Sequence, residues 1–283
     1  MSLTSFGPEW SASLRRGSER ELETWLALAL ALADIADGIA MGAFRRDLEI
    51  STKPDRTFVT QADRAIEEEL RRRITDAFPG HGVVGEEFGT SQPDAAVRWY
   101  LDPIDGTHNF MRGVPVFGTL LGIERDGELQ VGVVSAPALG SRWYARRGRG
   151  AWAVDTGRVA TEPPRRIAVS KVSALADMAL LYGSARDVAS SGKAPGFEAL
   201  IGDVWRDRGY GDFWGYMLVA EGAAEAMVEA DLSAWDLAGP LVVVEEAGGR
   251  MTTFDGVRSI HERSAFASNG LLHEELLARL HTA

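Results

Sequence analysis

Acidic residues sit in short, distinctive settings along the chain: Asp63, then Glu86 and Glu87 in GEEFG, Asp102 and Asp105 in LDPIDGT, and Asp236 in WDLAGP. The run Asp102-Pro103-Ile104-Asp105-Gly106-Thr107 follows apolar Trp99-Tyr100-Leu101, so two carboxylates and a hydroxyl are expected where a buried strand ends in a turn. Carboxylates this close repel one another and resist ionising together unless a cation lies between them. Oxygen ligands from several segments, with no Cys and no paired His, point to Mg²⁺ rather than Zn²⁺. An ion that keeps several waters suits phosphate chemistry.

Each residue also has an ordinary reading. Asp-Pro and Asp-Gly are common turn dipeptides, and on an extended strand Asp102 and Asp105 would face opposite ways. At a turn after the strand they can converge, with the Ile104 carbonyl exposed between them as a further oxygen. Glu86 and Glu87 could be a solvated strand edge. Asp63 could be a charge favoured by a helix dipole. Asp236 reads as an N-cap whose second oxygen stays available. Their joint occurrence favours one shared site.

The elements that must position these groups follow from periodicity. Leu22, Trp25, Leu26, Ala29, Leu32, Ile35, Ala36 and Ile39 predict a helix from Glu19 to about Phe44. Ile66, Leu70 and Ile74 predict another over Ala62–Phe78, stopped by Pro79-Gly80. Short β-like runs follow at 83–84, 99–101, 119–123, 131–135, 143–145 and 151–154, spaced as antiparallel strands. The polar, Pro-containing stretch 156–166 is the expected boundary between an N-terminal half, 19–160, and a C-terminal half, 161–283. The second half mixes strands (167–170, 178–182, 226–229, 251–254, 265–268) with helices (196–207, 213–221, 237–247, 272–280). Strands first, then strands alternating with helices, predict a layered α+β or α/β architecture. Arg71, Arg72 and Arg73 read as a solvated helix face, and Arg146, Arg147 and Arg149 as a solvated strand-end turn.

Of the 283 residues, 45% are hydrophobic and 25% charged, which suits one large domain or two packed halves. The absence of Cys excludes disulfides and thiolate metal sites and is compatible with the cytoplasm. A net charge of −11 argues against a nucleic-acid surface. The apolar stretch Trp25–Ala33 is short of the roughly 20 residues that span a bilayer, and Glu19, Glu21 and Glu23 precede it where a signal peptide would be basic. A soluble protein is therefore expected, with residues 1–18 a loosely ordered lead-in. No phosphate-loop, dinucleotide, zinc-protease or nucleophile-elbow motif occurs.

The ordered set Asp63, Gly85-Glu86-Glu87, Asp102-Pro103-Ile104-Asp105-Gly106-Thr107, Trp235-Asp236-Leu237-Ala238-Gly239 and Glu246-Ala247-Gly248-Gly249 resembles the inositol monophosphatase family over residues 20–280. The resemblance implies a five-layer αβαβα sandwich, a homodimer, and lithium-sensitive hydrolysis of a small phosphate monoester with two or three Mg²⁺ ions per site. It implies metal ligation by Asp63, Glu86, Asp102, the Ile104 carbonyl, Asp105 and Asp236. Thr107, Asp63 and Glu86 then activate water, and Glu87 supports them from behind. Asp105, Gly106 and Thr107 would meet the phosphate. In-line attack by water between two ions needs no nucleophilic side chain, so no phosphoenzyme is expected.

The leaving group is expected to lie against Asp212, in Gly209-Tyr210-Gly211-Asp212-Phe213, and Glu229. The alternatives are that Asp212 caps the helix near Phe213 and that Glu229 is a strand-end charge. Two further acids suit a substrate carrying an amine or imidazolium. KPDRTFVTQAD (53–63), NFMRGVP (109–115), VVSAPALG (133–140), RWYARR (142–147) and RGYGDF (208–213) look closest to the histidinol-phosphate phosphatase branch. His108, where that family commonly has Lys or Thr, reads as a pocket-rim histidine. Arg112 and Arg186 could touch phosphate or a neighbouring subunit, or form surface ion pairs. Inositol phosphate, a sugar bisphosphate or 3′-phosphoadenosine phosphate remain alternative substrates. A non-catalytic regulatory protein on the same fold is the alternative of another class.

Overall fold

A stripe of Leu22, Trp25, Ala29, Leu32, Ala33, Ala36 and Ala40 buries one face of helix α1 (Glu19–Ala43), started by a capping box between Ser18 and Glu21. The computed structural model describes residues 18–46, 50–52, 58–157 and 163–281. Most of the expected lead-in, Lys53–Thr57 and the expected boundary at 160/161 lie outside these residues. By length and composition α1 could cross a membrane, which the short Trp25–Ala33 stretch did not reveal. Its buried stripe and its ion pairs, Arg142 with Asp34 and Asp37 and Arg146 with Glu19 and Glu23, instead seat it on a sheet. Arg146 is therefore buried rather than solvated, and Arg147 pairs with Glu245.

Strands β1 (Ile50–Thr52) and β2 (Phe58–Thr60) pair antiparallel and lead into α2 (Gln61–Ala77). Next come β3 (Gly82–Gly85), β4 (Gly89–Ser91), β5 (Val97–Asp105) and the short α3 (Thr107–Met111). After these, β6 (Gly118–Arg125), β7 (Glu128–Ala136), β8 (Ser141–Arg146), β9 (Ala151–Asp155) and β10 (Arg165–Ile167) complete a sheet ordered β10-β9-β8-β7-β6-β5-β3-β4. Its pairings are antiparallel except β3 with β5. That exception arises because β4 folds back along one edge of β3, and the chain re-enters along the other in the original direction.

The remaining strands and α-helices are β11 (Ala179–Tyr182), α4 (Ala185–Val188), α5 (Ala194–Asp203), β12 (Arg206–Arg208), α6 (Asp212–Ala220), β13 (Ala226–Ala230), α7 (Ala234–Glu246), β14 (Arg250–Thr252), β15 (Ser264–Ser268) and α8 (His273–Leu280). The second sheet runs β12-β11-β13-β15-β14. The helix expected over 196–207 stops at Asp203, and Arg206–Arg208 instead pairs with β11 as an edge strand. The strand expected over 167–170 is shifted to Arg165–Ile167, where it closes the edge of the large sheet.

Three apolar clusters separate five layers. One lies between α1, α2 and the large sheet, one between the sheets around α6 and α7, and one between the second sheet, α5 and α8. The expected αβαβα sandwich is thus present.

Helix α7 lies unusually close to the large sheet. A methyl group at Gly132 would approach the Gly239 carbonyl to 2.3 Å, and one at Gly122 would meet Ala238 Cβ at 2.4 Å. The small residues of the WDLAGP segment therefore set the height of the helix that carries Asp236 above β5. Gly132→Ala is expected to cost about 1–3 kcal/mol in urea unfolding through overpacking. An unchanged midpoint would contradict this seating.

Candidate active site

Asp63 and Asp236 are delivered by the same local device. Each is the third residue of a helix whose N-cap residue, Thr60 or Ser233, exchanges hydrogen bonds with it in a capping box. Thr60 N–H and Oγ1–H donate to Asp63 Oδ2 at 2.9 and 2.5 Å, and Ser233 N–H donates to Asp236 Oδ2 at 2.7 Å. One oxygen of each carboxylate is fastened to its helix; Asp236 lines the cleft, whereas Asp63 is fully buried and meets the site through Thr107. Asp236 is accordingly not the N-cap that the sequence suggested.

Asp102 and Asp105 lie within β5 rather than in a turn after it. Asp102 pairs with Leu120 and Asp105 with Gly118, so three steps on β5 oppose two on β6. This bulge changes the strand's phase and lets both carboxylates reach one side. Gly106 follows at φ 80° and turns the chain into α3, where Thr107 Oγ1 lies 3.0 Å from the Ile104 carbonyl and 3.4 Å from Asp63 Oδ1. Carboxylate oxygens of Asp102, Asp105 and Asp236 all lie within 4.8 Å of one another. Asp102 Oδ1 is buried and finds no hydrogen-bond partner among the described residues. An all-oxygen cluster with an orphaned acceptor fits a hard divalent cation.

Glu86 lines the same cleft from the turn after β3. Glu67, which sequence reasoning missed, holds that turn. Its buried carboxylate accepts the Glu87 and Phe88 N–H groups at 2.7 and 3.1 Å and pairs with Arg71 at 2.6 Å. Arg71 is therefore not simply solvated. The available signal was Glu67's place on the apolar face of α2, between Ile66 and Leu70. Glu87 contributes its backbone to this turn and does not line the cleft.

The cleft has a volume of about 720 Å³, and its far wall carries Asp212 and Glu229 with His108 at the rim. Asp212 does not cap α6, whose N-cap is Gly211. Its Oδ2 accepts from Asn109 Nδ2 at 3.0 Å. The neighbouring Phe213 N–H donates to Asp105 Oδ2 at 2.7 Å, tying α6 to the end of β5. Glu229 faces the cleft from β13 and is only 7% exposed.

Electrostatics follow from burial. Desolvation, then the charges of Glu86 and Asp105, raises Asp102 well above the usual carboxylate range. Desolvation, then Asp212 and Asp236, does the same to Asp105. Burial lifts Asp63 to about 6 and Asp236 to about 7, against the capping bonds that favour their anions. Burial also lifts Asp212 to about 6, opposed by His108, and Glu229 to about 8 with help from Asp212.

The family model for inositol monophosphatases matches residues 21–283. The chain belongs to the inositol monophosphatase family. It is 51% identical over 257 residues to a histidinol-phosphatase of Mycobacterium tuberculosis, covering 90% of this chain and 97% of that one. It is 47% identical to a histidinol-phosphatase of Streptomyces coelicolor, covering 90% and 96%. Among solved structures, the extragenic suppressor protein suhB of Bartonella henselae superposes with a TM-score of 0.83 at 26% identity, covering 92% of this chain and 99% of that one.

As a member of this metal-dependent family, the protein is a phosphoric monoester hydrolase, and its acids bear on stability as well as chemistry. Their folded pKa values lie above the ordinary 3.8 to 4.5, so the folded state binds protons more tightly than the unfolded chain. The stability they contribute is full below the unfolded values and is lost as pH rises through about 6 to 8. Calorimetry of the metal-free protein should show Tm falling from pH 5 to pH 8, with added Mg²⁺ raising Tm more at pH 8. A Tm that rises over that interval would contradict the charge crowding.

Proposed function

We propose that the protein hydrolyses L-histidinol phosphate to L-histidinol and inorganic phosphate, using Mg²⁺. Two buried acids away from the cation cluster, Asp212 and Glu229, carry the substrate assignment. The anionic end of the ester goes to the cluster, and a protonated nitrogen at the far wall would draw Asp212 and Glu229 into the anionic forms that burial alone disfavours. The histidinol-phosphatases at 51% and 47% identity support the same substrate.

In this proposal Asp102, the Ile104 carbonyl, Asp105 and Asp236 hold Mg²⁺, joined by Glu86 and Asp63 where two or three ions bind. Bound Mg²⁺ would supply the charge that neutralises the phosphate oxygens and the departing oxygen. The chain's own groups handle protons. The Thr107 hydroxyl takes a proton from water as its oxygen attacks phosphorus, and passes its own to Asp63 Oδ1, 3.4 Å away. Glu86 is a second acceptor in the same wall. The P–O bond to the alcohol breaks in line, the departing oxygen takes a proton from a solvent water, and the proton held on Asp63 returns to solvent. Gly106 suits the turn between Asp105 and Thr107, since its φ is 80° and a methyl there would lie 2.9 Å from the Val116 carbonyl and 3.2 Å from Asp212 Oδ2. A homodimer, lithium sensitivity and a cytoplasmic location belong to the proposal on family membership alone.

Asp236→Asn should lower kcat/KM by about 100-fold or more. It should also raise the Tm of the metal-free protein, because a repelling charge is removed from the cluster. Full activity in that variant would take Asp236 out of the site.

Asp212→Asn should reduce the preference for histidinol phosphate over glycerol 2-phosphate by about tenfold, read mainly in KM. A wild-type enzyme that favoured inositol 1-phosphate over histidinol phosphate would overturn the substrate. Single turnover in ¹⁸O-water should place the label in phosphate alone; label in a protein carboxylate would disprove direct attack.

A further inference from the structure

Two buried polar atoms in the far wall of the cleft are unmatched, one on Glu229 and one on Tyr216, a residue the chemistry above does not use. Tyr216 Oη and Glu229 Oε2 are each without a hydrogen-bond partner among the described residues, although their residues are only 1% and 7% exposed. Burying such groups unmatched is unfavourable. Both line the cleft, so a ligand there can complete them. Tyr216 lies one helical turn after Asp212 on α6, which places both on the face turned to Glu229 of β13. Burial raises Glu229, and the Tyr216 phenol opposes that rise.

The surrounding backbone is tight. A methyl on Gly183 would sit 2.3 Å from Glu229 Oε1, and one on Gly215 would sit 2.4 Å from Met227 Sδ. Glu229 therefore packs directly against Gly183, and α6 directly against β13.

We infer that Tyr216 is a specificity-determining residue whose hydroxyl aims the Glu229 carboxylate at the protonated nitrogen of the substrate's alcohol portion. This rests on the proposed substrate. When the ligand binds, the phenol donates to one Glu229 oxygen, and the other accepts from the ligand N–H. A neutral alcohol brings no charge to that carboxylate and gains little from its being held.

The test compares kcat/KM for L-histidinol phosphate and glycerol 2-phosphate in the Mg²⁺-loaded wild type, Y216F, E229Q and the double variant. The wild type should prefer histidinol phosphate, and Y216F should lower that preference by about tenfold, mainly through KM. In the E229Q background the same change should alter it by less than about twofold, because Tyr216 acts through Glu229. Y216M, also without a hydroxyl, should behave as Y216F does and serves if that variant melts early. An equal loss on both substrates, or an undiminished loss in the E229Q background, would overturn the role of Tyr216 alone. A wild type without the preference would overturn the substrate assignment and this inference with it.

Discussion

Asp63, Asp102, Asp105 and Asp236 are held largely out of water at the place where a bulged strand meets two helix starts, and their mutual repulsion is the constraint that the site is built around. A folded chain would ordinarily avoid such crowding, because each desolvated carboxylate loses hydration and gains a like-charged neighbour. Here the backbone leaves no escape. Capping boxes fasten Asp63 and Asp236, the Phe213 N–H fastens Asp105, and the strand itself places Asp102. The arrangement exchanges stability of the metal-free fold for a pre-organised nest of oxygens.

The same contacts join the two ends of the cleft. Because α6 donates its Phe213 N–H to Asp105 and carries Asp212 beside it, the cleft wall with Asp212 is tied to the strand that carries Asp102 and Asp105. Helix α7 is seated on the large sheet through Gly122, Gly132 and Gly239, so the height of Asp236 above β5 depends on side chains that are absent. Glu67 plays the corresponding part for the Glu86 turn, gathering two backbone N–H groups and Arg71. Precision in the site comes from backbone contacts around the carboxylates more than from the carboxylates themselves.

Much of this was legible in the sequence. Helical stripes placed α1 and α2, and the joint occurrence of GEEFG, LDPIDGT and WDLAGP identified the residues that the fold brings together. Less visible was anything that depends on pairing between distant segments. The bulge between Asp102 and Asp105 exists only in relation to β6. The parallel pairing of β3 and β5 depends on which edge of β3 the chain returns to. Arg206–Arg208 became a strand because β11 offered an edge, overriding a helical pattern. Arg71 read as part of a solvated helix face and Glu67 did not stand out, since their further partners are backbone groups some twenty residues away. Tyr216 looked like one more aromatic in an apolar helix, and only the orphaned hydroxyl in the cleft wall marks it.

Anomalous scattering from a crystal soaked in Mn²⁺ would test the central claim most directly, since this ion takes the same oxygen ligands as Mg²⁺. The account predicts density bounded by Asp102, the Ile104 carbonyl, Asp105 and Asp236, with Glu86 alongside and the carboxylates little moved from their positions here. Carboxylates swung apart, with no anomalous peak among them at saturating Mn²⁺, would contradict it.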